Sequence, residues 1–154
     1  RRQRSPGCGV AAKRDLKKGR TSPAVERLIE CNILLSGVGF ESGGLALAHA
    51  IANGLTILPE CKAMHGEAVA FGLVVQLRLV ITEQPVCAYV PLASNDGALV
   101  CQFQMTTLEE LGLDEISDAD LMSVADAAFR NERNMANEQA KVTRQKLVQL
   151  MREA

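Results

Sequence analysis

His49 and His65 are the two histidines of this 154-residue chain, sixteen positions apart. Imidazoles that converge on one point suit a divalent transition metal, zinc above all. A catalytic zinc normally takes three protein ligands and keeps one position open. Glu41, Cys61 and Glu67 are further donors nearby in the sequence that could fill open positions. Each has a plainer reading: Glu67 suits a first helical turn, where the helix dipole favours an acid, and Cys61 suits a small loop position. A single histidine on a helix face is also commonly a hydrogen-bonded core residue. On spacing alone, ligation and core packing both stay open.

His49 lies in "SGVGFESGGLALAHAIANG", Ser36 to Gly54, which raises a second possibility, a phosphate cradle. A dinucleotide fingerprint needs G-x-G-x-x-G at a strand-to-helix turn. Gly37 and Gly39 fit, but Ser42 stands at the third glycine position and a helical pattern precedes the motif. A Walker loop needs Gly-Lys-Ser/Thr, and the stretch holds no lysine. The glycines are therefore expected to make a sharp reversal, "GVGFESGG", that lets two helix ends come close.

The elements that must hold the histidines are helices. "TSPAVERLIECNILLSG" starts with Ser22 as N-cap and Pro23 at the first helical position, and Gly37 is expected just past its end. Its apolar stripe is Val25, Leu28, Ile29 and Ile33. A second helix is expected over Leu45 to Ala52, closed by Asn53-Gly54. A third runs from His65 to about Thr82, behind a loop punctuated by Pro59, and is apolar nearly all round, as in a buried helix. Two helices joined by such a loop can run antiparallel or at a steep angle, and the two imidazoles could then converge near one end of the pair. "EQPVCAYVPLASNDGALVCQFQ" is broken by prolines and Asn95-Asp96-Gly97 and holds one short helix at most. "SDADLMSVADAAF" reads as an amphipathic helix, with Ser117 and Asp120 in a capping-box arrangement. A last helix is expected from Glu138 to Arg152. No strand-type alternation persists, so the fold class is all-α, a helical bundle. Residues 1–20, basic and glycine-containing, are expected to be a poorly ordered segment ahead of a helical metal-binding domain over residues 21–154.

Composition narrows the function classes. Seventeen basic and eighteen acidic residues give a formal net charge of -1, which argues against nucleic acid and anionic membrane as partners. Five cysteines with no CxxC pair suggest reduced thiols and a cytoplasmic protein. No leader pattern is seen, and the apolar run "AVAFGLVVQLRLVI" is interrupted by Gln76 and Arg78 and shorter than the roughly 20 residues a span requires. With no Trp, one Tyr and four Phe, the core must be built of small aliphatics, which suits closely packed helices.

The segment "ERLIECNILLSGVGFESGGLALAHAIANGLTILPECKAMHGEAVAFGLVVQL" resembles the glycerol dehydrogenases of the iron-containing (group III) alcohol dehydrogenase family, and "TTLEELGLDEISDADLMSVADAA" resembles a later stretch of them. The specific motif is "GVGFESGGLALAHAIANG" followed by "HGEAVAFG". The resemblance implies the all-helical C-terminal domain of a two-domain enzyme whose other half is a Rossmann-like NAD-binding domain. It implies zinc held by His49, His65 and an aspartate from earlier in the chain, with Phe40 beside the substrate pocket. The implied reaction is NAD-dependent oxidation of a small polyol, glycerol to dihydroxyacetone. The implied partners are copies of itself, in a homo-oligomer, or an NAD-binding half.

The chain also departs from that pattern. No residue matches the upstream aspartate; Asp15 lies too close to the helical segment. Ala52 stands where the family often has a third histidine, and the loop to His65 is about one residue short. The alternative to an enzyme domain is a helical assembly module that keeps only the family's packing surface.

Overall fold

The computed structural model describes residues 7–83 and 107–154; these are helical, with no strand among them, as the sequence predicts. The chain divides into two compact units, with the boundary in the sequence between Gly44 and Leu45.

In the first unit, α1 (Gly7–Leu16) packs against α2 (Pro23–Glu30), which continues through a π-helical turn (Cys31–Leu35) into α3 (Ser36–Gly43). The segment expected to be poorly ordered thus carries a helix. Ala12 and Val25 are its buried apolar residues, and the Asp15 carboxylate is also buried. The Ser22 hydroxyl, with Arg14 and Arg20 beside it, holds the Asp15 carboxyl below its ordinary range despite the opposing effect of burial. Arg20 reaches the carboxylate at 3.4 Å and donates its backbone N–H to the Asp15 carbonyl at 3.0 Å. Gly19, at φ 63°, supplies the left-handed turn this closure needs. Ser22 caps α2, accepting from the Val25 N–H at 3.4 Å, with Pro23 at the first position as expected.

The helix does not stop at Gly37. Gly37 and Gly39 are helical, and Gly44, at φ 69°, ends it instead. A glycine inside a helix costs about 1 kcal/mol relative to alanine, which weakens a helix without terminating it. Termination came only where the left-handed conformation was adopted. The expected glycine-rich turn is therefore mostly helix α3.

The second unit is built from α4 (Leu47–Leu55), α5 (His65–Glu83), α6 (Asp118–Arg130), α7 (Glu132–Met135) and α8 (Arg144–Glu153). Helix α4 lies against both α5 and α6, and α8 closes over α6 and α5. Leu47, Ile51, Leu55, Phe71, Val75, Leu79, Leu121 and Leu147 are fully buried there, each burial contributing roughly 1.5–3 kcal/mol. Two glycines set how closely the helices approach. A Cβ on Gly54 would lie 2.6 Å from the Val124 carbonyl oxygen of α6, and one on Gly72 would lie 2.3 Å from that of Ala48 in α4. Asn53-Gly54, expected to close the second helix, is accordingly inside it: Gly54 is required for contact, not for a cap.

Helix α5 begins at His65 as predicted, but it is not buried all round. Ala68, Phe71, Val75 and Leu79 face the core while Leu73 and Ile81 are half-exposed. By length and composition it is also long and apolar enough to cross a bilayer, though the sequence run alone is shorter than a span requires; part of that apolar surface is used in the core, through Ala68, Phe71, Val75 and Leu79.

At α6, Ser117 accepts from the Asp120 N–H at 3.1 Å, but the Asp120 carboxylate takes the Ser117 hydroxyl at 2.6 Å instead of a backbone N–H. Aspartate is a methylene shorter than the glutamate of a full capping box. Thr107 and Glu110 do make the reciprocal pair, both bonds at 3.2 Å. The last helix starts at Arg144, not Glu138, because the Thr143 hydroxyl caps it at the Lys146 N–H. Nearly all of "EQPVCAYVPLASNDGALVCQFQ", where at most one short helix is expected, lies outside the described residues.

Candidate metal centre

His49 is the third residue of α4 and His65 the first of α5. The packing of these two helices against each other brings the rings together, with centroids 5.9 Å apart and planes inclined at 53°. His49 is half-buried and His65 exposed. Burial, and then the His65 charge, hold the His49 pKa below its ordinary 6.5. His49 is therefore neutral at physiological pH, the form in which an imidazole nitrogen can bind a metal.

The spacing can be compared with a shared ion. With Zn–N of about 2.0–2.1 Å, each ring centroid sits about 3.2 Å from the metal, and two such rings at a tetrahedral angle lie roughly 5 Å apart. The observed 5.9 Å is close to that separation. Among the described residues no cluster of three or more His, Cys, Asp or Glu side chains is placed to hold a metal. The pair by itself supplies two donors of the kind a transition metal takes, one short of the three protein ligands usual for a catalytic zinc.

The other sequence candidates fall elsewhere. Glu67 is committed to the start of α5, its carboxylate accepting from the Met64 N–H at 2.8 Å, which is the helix-terminal role its position suggested. Cys61 carries a free thiol, half-buried against the core. Phe40 and Glu41 belong to α3 in the first unit, where Phe40 is 47% exposed.

Fold and site together define an all-α domain that sets two imidazoles side by side at adjoining helix ends. Relatives narrow this class. Over 136 residues the chain is 45% identical to a glycerol dehydrogenase of Thermotoga maritima, a match covering 88% of this chain and 36% of that one. A solved probable glycerol dehydrogenase from Sinorhizobium meliloti superposes with a TM-score of 0.77 at 32% identity, over 93% of this chain and 39% of the other. A glycerol dehydrogenase structure from Schizosaccharomyces pombe gives 0.69 at 32% identity, covering 95% and 39%. No family model matches the chain. The chain belongs to the glycerol dehydrogenases and spans a little over a third of the length of these relatives.

Proposed function

We propose that this chain is the C-terminal, metal-binding helical domain of an NAD-dependent, zinc-dependent glycerol dehydrogenase. The observation that carries the reading is the pair of rings 5.9 Å apart at the ends of α4 and α5, within a sequence that matches glycerol dehydrogenases. His49 and His65 would hold the zinc with a further ligand from outside the described cluster. Bound there, zinc supplies Lewis-acid polarisation of a substrate hydroxyl, and NAD supplies the hydride acceptor. The chain's own contribution is orientation. Half-buried His49 keeps one ligand neutral, while exposed His65 leaves the site open to a small polyol such as glycerol. Phe40 is assigned to the substrate wall on the motif it shares with the family. We place the protein in the cytoplasm, in keeping with its scattered cysteines.

On this reading the NAD-binding half would lie in the part of the relatives that this chain does not span. Supplying that part from the Thermotoga maritima relative, as a separate chain or a fusion, should give glycerol-dependent NADH formation that His49→Ala or His65→Ala reduces at least a hundredfold. Equal NADH formation by the wild type and both variants would refute the assignment.

The second reading is a non-enzymatic assembly module. It is favoured by apolar side chains that α2, the π turn and α3 leave in solvent: Ile29, Ile33, Leu34, Leu35 and Val38. Such a surface serves pairing with another copy or with the missing half, and it would be indifferent to chelators.

A further inference from the structure

Helix α4, which carries His49, starts differently from its neighbours. Ser22, Ser117 and Thr143 cap α2, α6 and α8 with their own hydroxyls. At the corresponding position of α4 stands Ala46, which offers no side-chain cap. The first turn is instead held from a distance. Gln76, in the middle of α5, accepts the Ala48 N–H on its Oε1 at 3.0 Å, across 28 residues of sequence. Asn137, beyond α7, donates its Nδ2 to the Leu45 carbonyl at 2.8 Å, across 92 residues. Gly72, one turn before Gln76, lets the Ala48 backbone close onto α5. Ala48 is thus gripped by α5 through a contact and a hydrogen bond, and the next residue is His49. The helix that grips it begins with His65.

We propose that Gln76 and Asn137 are positioning residues for the imidazole pair, Gln76 capping α4 from outside at the Ala48 N–H and Asn137 fixing the chain just ahead of it at the Leu45 carbonyl, so that His49 stays in register with His65. The amide of Gln76 does the larger part, because it ties α4 directly to the helix that presents the second ring. Its half-buried bond is shielded from competing water, whereas Asn137 is exposed. The consequence for metal affinity rests on the reading of this pair as zinc ligands; the consequence for ring placement does not. Outer residues that orient metal ligands typically change affinity by 10- to 100-fold when lost.

The test uses the full chain with Gln76→Met, which keeps the length but removes the acceptor, and Gln76→Glu, which keeps an acceptor oxygen. Ring-to-ring nuclear Overhauser effects between His49 and His65 are recorded on metal-free protein, and zinc affinity by calorimetry. The cross-peak should be present in the wild type and in Gln76→Glu and lost in Gln76→Met. Zinc should bind about tenfold more weakly to Gln76→Met, with Gln76→Glu restoring most of the loss. Cross-peak and affinity unchanged in Gln76→Met would overturn the inference. A wild type that binds no zinc would sink the metal reading alone, and the cross-peaks would still decide the role of Gln76. Should Gln76→Met fail to fold, Asn137→Asp, which puts a carboxylate against the Leu45 carbonyl at an exposed site, should weaken the cross-peak in the same direction; an unchanged cross-peak there would overturn the inference equally.

Discussion

Two apolar helical stretches of similar length meet opposite fates in this molecule. The run from α2 through the π turn to α3, Pro23 to Gly43, buries only Val25, and Ile33 within it is 72% exposed. Helix α5, His65 to Glu83, buries a full face, with Phe71 at 0%. Their glycines differ in the same way. Gly37, Gly39 and Gly43 have nothing within 4 Å of a would-be Cβ, while Gly72 is pressed onto Ala48. Apolar content therefore marks two different things here. In the second unit it builds a core around close helix contacts, and in the first it leaves a surface. The candidate site draws its two imidazoles from the packed unit, where Gly54 and Gly72 let helix backbones come into close contact.

The contrast can be broken most forcefully at the side chains. Phe71→Ala should cost about 3–5 kcal/mol of unfolding free energy, the usual loss for a buried phenylalanine. Ile33→Ala should cost below about 0.5 kcal/mol, as surface changes do. Denaturant melts of the two variants check this, and equal losses would mean that the first unit has a core of its own. The glycines sharpen the comparison at smaller scale. Gly72→Ala should destabilise by roughly 1–3 kcal/mol, because its Cβ meets backbone that cannot move aside. Gly37→Ala, in open helix, should stabilise by up to about 1 kcal/mol. A destabilising Gly37→Ala would show that something covers that face.

Much of this was legible in the sequence. The 3.6-residue patterning gave α2, α5 and α6 close to their observed starts, since Ser22, His65 and Ser117 sit at or beside unambiguous helix boundaries. The closeness of the His49 and His65 rings is one of the arrangements that two helices joined by a short loop allow, and spacing alone does not choose it. Glycine has two uses that look alike in a sequence: Gly54 reads as a terminator and is a contact, and Gly37 reads as a terminator and is a helical residue. Gln76 was visible only as a polar break in an apolar run. Its partner is a backbone N–H 28 residues away, and no local pattern encodes such a bond. The same holds for Asp15, whose burial depends on Arg20 and Ser22 folding back over it.

The central claim is that His49 and His65 form part of one metal site, and zinc titration of the purified chain by calorimetry tests it most directly. The expected result is one binding event per chain in the wild type, lost in both His49→Ala and His65→Ala. Identical titrations for all three proteins, whether with zinc bound or without, would contradict the claim and leave the helical assembly module as the better account.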